Sequence, residues 1–271
     1  MTDLSGEFPQ QEDICYLNHA AVAPWPQRSA NAARQFADQC VSVGAKHYPA
    51  WMQEETRLRE RLASLIGAAA PLDVALLKNT SEGLSFIAAG LDWREGDRVV
   101  ISNQEFPSNR IPWQALASRG VDVVEVDISE ADPEQALIEA LDDRTRLLSI
   151  SSIQYGTGIR LDLNRLGQAC RQRGVLFCVD AIQSLGAVKF DVSECQADFV
   201  VADGHKWMLG PEGLELFWVR PELRDQLALT EYGWHMVADA GNYDRHDWKL
   251  AGDARRFECG SPNMLCAHVL S

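Results

Sequence analysis

Hydrophobic and polar positions along the chain follow two rhythms. In "PQRSANAARQFADQCVSVG" and "PAWMQEETRLRERLASLIG" the apolar residues recur at helical spacing, and each segment opens on proline and closes on glycine. Proline suits a first helical turn, where its missing N–H costs nothing, and glycine suits the turn that ends a helix. Two N-terminal helices are therefore predicted. Beyond them the rhythm changes to short β-branched runs separated by helical segments: "DVALLKN", "DRVVIS", "VDVVEVD", "TRLLSISS", "GVLFCVD", "ADFVVAD" and "GLELFWVR". Several are apolar on consecutive residues, which strands covered on both faces require. Strands alternating with helices predict a three-layer α/β/α domain around a mostly parallel seven-stranded sheet.

The predicted organisation is an N-terminal segment with helices over 1–69, a large domain over 70–250, and over 251–271 the start of a connection onward. The closing stretch "RRFECGSPNMLCAHVLS" reads as a loop entering a helix, and the chain stops inside that helix. The expectation is that a C-terminal small domain is missing.

Composition narrows the function classes. The 271 residues, 46% hydrophobic and 24% charged, suffice for a substantial core. With 25 Lys and Arg against 39 Asp and Glu, the formal charge of −14 repels a phosphate backbone, so nucleic acid is not an expected partner. The seven cysteines are odd in number and never spaced as C-x-x-C, which argues against a disulfide framework and against a clustered zinc site, so no metal is expected. The N-terminus shows no basic region followed by an apolar run, and no window approaches the roughly 18 apolar residues of a membrane span. A soluble cytoplasmic protein with reduced thiols is expected.

Ligands of such sheets gather beyond the carboxyl ends of the strands. Three chemically loaded stretches fall there. "CVDAIQS" places Asp180 at a strand end with Gln183 after it, "ADGHKW" places Asp203, His205 and Lys206 at another, and "KNTSEG" sets Thr80 and Ser81 at a helix start. Each has a bland reading. Thr80 and Ser81 can cap the helix or seat a phosphate, Asp180 can cap the next turn, and Lys206 can be a surface lysine in a glycine loop. Together they are complementary: an aspartate, a lysine and a hydroxyl-bearing helix start suit a cofactor with a basic ring nitrogen, an aldehyde and a phosphate. Pyridoxal 5′-phosphate (PLP) has all three, the lysine forming the Schiff base and the carboxylate keeping the pyridine nitrogen protonated.

The ordered motifs "YLNHAAVAP", "NTSEG", "EFPSNRIPW", "VDAIQS", "DGHKWMLGPEG" and "RFECGSPN" cover nearly the whole chain. In them the sequence resembles the class V aminotransferase group of fold-type I PLP enzymes, which includes cysteine desulfurases, isopenicillin N epimerase-like proteins and kynureninase. The resemblance implies the aspartate aminotransferase-like large domain and a PLP-dependent enzyme acting on an amino acid or related amine. It implies Lys206 as Schiff-base lysine, Asp180 at the pyridine nitrogen, Gln183 at the phenolic oxygen, and His205 with Thr80 and Ser81 at the phosphate. Phe106 stands where the family stacks a ring on the cofactor. Ser261, in "RFECGSPN", is implied as a phosphate ligand of the neighbouring subunit, in a homodimer with shared sites.

Aminotransferase-type chemistry is the leading expectation, with cysteine desulfurase, lyase or epimerase activity of the same family as the alternative, and a non-catalytic PLP-fold binding protein as the alternative of another class. Two departures weaken the desulfurase reading. Asp203 stands where desulfurases often carry serine, and a carboxylate beside a phosphate is repelled unless it points away or is protonated. Tyr155 in "SIQYGTG" stands where they carry asparagine. None of the cysteines present reads as a persulfide carrier. "GTGIRLDLNRLG" lacks the third glycine of a dinucleotide loop.

Overall fold

The computed structural model of the chain describes residues 4–129, 131–244 and 246–271. The two N-terminal helices form where the spacing places them, α1 over Gln27–Val43 and α2 over Tyr48–Ile66. Pro26 precedes α1, and Gly67, at φ +68°, closes α2 with its N–H on the Ala63 and Ser64 carbonyls.

All seven predicted strands are present. They are β1 Val74–Leu77, β2 Arg98–Ser102, β3 Asp122–Val126, β4 Thr145–Ser151, β5 Leu176–Asp180, β6 Phe199–Asp203 and β7 Glu215–Val219. The helices between and after them are α3 Thr80–Gly90, α4 Ile111–Gln114, α5 Pro133–Glu139, α6 Leu163–Arg173 and α7 Met264–Leu270. One sheet holds the strands in the order β1-β7-β6-β5-β4-β2-β3. Neighbours from β6 to β3 run parallel, while β7 is antiparallel to both β6 and β1.

Strand alternation divides the sheet between two cores. Phe177, Val179, Val200, Ala202, Leu216 and Trp218 join Leu58 of α2, Leu137 of α5 and Leu166 of α6 on one face. Cys178, Phe199, Val201, Phe217 and Val219 join Leu84 and Ile87 of α3 and Trp113 of α4 on the other. Apolar residues on consecutive positions thus supply both cores at once. The same alternation fixes the direction of the strand-end carboxylates. Asp180 continues the series of Leu176 and Cys178, Asp203 that of Phe199 and Val201, and Glu215 begins that of Phe217 and Val219. All three belong to the α3 face of the sheet. No helix among the described residues is long and apolar enough to cross a membrane.

Candidate active site

At the carboxyl ends of β5 and β6, on the α3 side, lies a cavity of about 620 Å³. Thr80, Ser81, Phe106, Asp180, Gln183, Asp203, His205 and Lys206 all line it, so eight sequence-predicted residues from four loops meet in one place. Tyr155 lines it as well and meets the Phe106 ring edge to face at 5.2 Å. Ser261 lies outside this cavity, on an exposed loop.

Lys206 is only 7% exposed, and among the described residues no hydrogen bond or ion pair is made by its Nζ. Its Nζ stands 5.4 Å from the centre of the Phe106 ring, within cation–π range. Burial pulls the ammonium pKa down, while Asp180 and Asp203 act the other way. A larger share of neutral amine, and so of nucleophile, follows. Asp180 is buried, and burial pushes its carboxyl up to about 7. The Ile182 N–H, donating to Oδ1 at 3.0 Å, and Lys206 oppose that rise, and Glu105 and Asp203 add to it. A buried acid and a buried amine in one cavity each favour a partner that neutralises them.

The start of α3 departs from the capping reading. The cap is Asn79, whose side chain accepts from the Glu82 N–H at 3.0 Å, and the Glu82 carboxylate in turn accepts from the Lys78 N–H at 2.6 Å. This reciprocal arrangement leaves Thr80 as the first helical residue, with its Oγ1 buried and without a partner. Ser81 donates its hydroxyl proton to Ser108 Oγ at 2.8 Å, and Ser108 also faces the cavity. His205 Nδ1 lies 3.0 Å from Asp203 Oδ1 but out of line for a hydrogen bond. Asp203 therefore has an imidazole beside it rather than bare cavity, which gives the departure from serine a physical setting.

Several positioning residues are not legible from motif spacing. Glu105 is buried and accepts hydrogen bonds from Ser102 Oγ, Asn109 Nδ2, the Ser151 N–H, Ser151 Oγ and Gln154 Nε2, at 2.6 to 3.1 Å. It ties the loop that carries Phe106 to the ends of β2 and β4. Gln183 donates to the Ala20 carbonyl at 2.9 Å and accepts from Trp207 Nε1 at 2.8 Å, which fixes its amide. Trp207 acts on the pocket through Gln183 and stacks on His19 at 5.1 Å. The strap that includes Asn18, Ala20, Ala21 and Val22 forms one wall of the cavity. The Ala23 N–H ties it to the His205 carbonyl at 2.9 Å.

Comparison with known proteins identifies the family and the fold. The sequence profile of the family described as Aminotransferase class-V matches residues 15–271. A probable cysteine desulfurase of Methanothermobacter thermautotrophicus is 32% identical over 269 residues, covering 97% of this chain and 66% of its own length. The apo structure of a cysteine desulfurase from Thermococcus onnurineus superposes with a TM-score of 0.86 at 25% identity, covering 98% of this chain and 68% of that one. A variant of the enzyme C-DES with glycine covalently linked to its PLP cofactor superposes with a TM-score of 0.89 at 23% identity, covering 99% and 72%, and shares the fold. The chain spans about two thirds of the length of the curated relatives it matches.

Proposed function

Because the chain belongs to the class V aminotransferase family, we propose that it binds PLP and acts on a sulfur-bearing α-amino acid of the cysteine type. One observation carries the cofactor reading: the buried amine of Lys206 shares a cavity with the buried acid Asp180 and with the partnerless Thr80 hydroxyl. Amine, acid and hydroxyl are the donors that an aldehyde, a pyridine nitrogen and a phosphate need. The residues present fit the group.

Lys206 would hold the aldehyde end, Asp180 the pyridine nitrogen, and Thr80, Ser81 and His205 the phosphate at the positive end of α3. Phe106 would cover a ring face and Gln183, fixed by Trp207, would meet the phenolic oxygen. When bound, the cofactor supplies an electron sink for a carbanion at the substrate α-carbon. Lys206 would act as the base that moves that α-proton, and burial favours its neutral form. A protonated cofactor nitrogen would supply the positive charge that the buried Asp180 lacks, which favours the carboxylate.

The choice among reactions follows the relatives. Transamination leads in the sequence reading, yet the similar proteins are named as desulfurases, and this favours cleavage of a carbon–sulfur bond. Incubation of the PLP-loaded protein with L-cysteine tests the choice. Alanine with a reducible sulfur product supports desulfuration, pyruvate with ammonia indicates a lyase, and keto acid formed only with an amino acceptor returns the protein to transamination. Borohydride reduction followed by peptide mapping tests the cofactor itself, and an adduct on surface lysines in place of Lys206 sinks that reading.

A further inference from the structure

The strand pair β6–β7 places Asp203 directly opposite Glu215, which brings their side chains into contact range on the α3 face, with Cβ atoms about 5 Å apart. Glu215 is wholly buried, and neither of its carboxyl oxygens has a partner. Its space is made by Gly83 of α3, where a Cβ would come within 2.4 Å of Glu215 Oε1. Gly83 is one turn after Thr80, on the same helical face, so the Glu215 carboxyl sits beneath the first turn of α3. That turn also carries the partnerless Thr80 hydroxyl. Across the strand pair, Asp203 Oδ1 is a further partnerless atom, 3.0 Å from His205 Nδ1. Polar atoms without hydrogen-bond partners thus lie both at Glu215 in the interior and at Thr80, Asp203 and His205 on the cavity wall.

Nothing in the reaction proposed above uses Glu215. Two carboxyls this close and this dry cannot both be ionised. We propose that Glu215, opposite Asp203, is held protonated, and that this proton keeps the floor of the anion seat at the start of α3 neutral enough to accept a phosphate dianion. Glu215 is then a positioning residue, acting through Asp203 and His205 and through the field beneath Thr80. Burial raises the Glu215 carboxyl well above its usual range, and repulsion from Asp203, Asp180 and Glu82 raises it further. The charged and titratable groups facing it are Asp203 from β6, Asp180 from β5, Glu82 from α3 and, beyond Asp203, His205. Loss of the proton adds a second negative charge under the seat, so anion affinity falls as pH rises.

The anion half of this inference rests on the PLP reading, and the proton half does not. The infrared spectrum of the ligand-free protein at neutral pH should show the carbonyl stretch of a buried protonated carboxylic acid that Glu215→Gln removes. A spectrum unchanged by the substitution overturns the proton on Glu215. PLP affinity is then measured from neutral to alkaline pH in the full chain and in Glu215→Gln. Lys206, Asp180 and the phosphate itself titrate in both proteins, so the difference between the two curves isolates Glu215 together with its coupling to Asp180. The unsubstituted protein should lose affinity more steeply, by up to about tenfold per pH unit, the linkage of one proton. Parallel curves overturn the linkage. Failure of both proteins to bind PLP at every pH sinks the cofactor reading and the anion half with it, leaving the infrared result to decide the proton. Glu215→Met, uncharged and of similar volume, serves if the glutamine variant does not fold.

Discussion

Two groups of buried charge occupy this molecule, and they are built on opposite principles. Arg59 of α2 donates to the Val74 carbonyl and to Glu258 Oε1 at 2.7 Å each, to Glu258 Oε2 at 2.7 Å and to Glu55 at 2.5 Å. Burial opposes its charge, but Glu258 and Glu55 outweigh that and hold it protonated. Glu258 also accepts from the Leu76 N–H at 2.9 Å, and His235 Nδ1 stands 3.5 Å from its other oxygen. Glu55, His235 and Glu258 bring ligand-type atoms within 4.8 Å of one another, yet the guanidinium already supplies their cation. At the cavity the pattern reverses. Lys206, Glu215, Asp203 and Thr80 are buried too, and the last three hold atoms with no hydrogen-bond partner. The paired guanidinium ties α2, β1 and the loop before α7 together, although Glu55 Oε2 and His235 Nδ1 at its edge also lack hydrogen-bond partners, whereas at the cavity the carboxyls have no cation bonded to them.

The sharpest break in that comparison comes from Lys206→Ala. Removing the open amine should abolish the borohydride-fixed adduct and cut turnover by about four orders of magnitude or more, with a thermal melt close to that of the unsubstituted chain. A collapse of the fold instead would put Lys206 with Arg59 as a structural group.

Arg59→Ala is the mirror experiment. It strands two buried carboxylates, and such losses cost about 3–5 kcal/mol, read as a lower denaturation midpoint. PLP affinity of the fraction that stays folded should not move. A cost under about 1 kcal/mol would show that the cluster binds α2 to the sheet only weakly.

Asp180 sharpens the contrast through pH. Its carboxyl, raised by burial to about 7, binds a proton more tightly folded than unfolded. The stability it contributes is therefore full below the unfolded value near 3.9 and is lost as pH rises through about 7. Without cofactor, Asp180→Asn should become more stable than the parent on moving from pH 4 to pH 8, by up to about 4 kcal/mol. Melts that track each other across that range would mean the site already satisfies the charge.

Smaller still is Ser261→Ala. If its exposed loop completes a neighbouring subunit's phosphate site, loss of one charge-assisted hydrogen bond should weaken PLP retention roughly ten- to hundredfold without changing stability. Unaltered retention, or a monomer in sedimentation that binds PLP tightly, would remove Ser261 and the shared site.

How much of this was legible in the sequence depended on the range of the interaction. The strands could be read because alternate residues feed two cores, and the resulting apolar runs are local signals. Lys206, Asp180 and Gln183 were readable as a set because strand ends in such sheets converge. Glu105 was hidden inside "EFPSNRIPW", since its partners come from β2, β4 and the loops beyond them. Glu215 reads as one polar position in an apolar strand, and only the register with Asp203 and the gap at Gly83 give it meaning. Glu258 lies within "RFECGSPN" but turns to Arg59, so part of a motif read for cofactor binding serves α2. Asn79 took the capping role from Thr80 because a cap and its helix start differ by one residue, finer than composition resolves.

The strap from Asn18 to Ala23 sets an order of assembly. Its bond from Gln183 to the Ala20 carbonyl closes a separation of 163 residues, and the surfaces it meets, at His205 and Gln183, exist only after β5 and β6 have paired. Contacts this distant in sequence form late, since their loop-closure entropy is recovered only once the rest is in place. Although it precedes the other walls along the chain, the strap is the last of them to arrive. Its hydrogen bonds to the other walls are those of the Ala23 N–H to His205 and of the Gln183 amide to Ala20, fewer than a central strand makes, so opening it should cost less than opening the sheet. Exchange of a bound molecule can then proceed through a brief retreat of the strap, on a clock separate from that of the sheet.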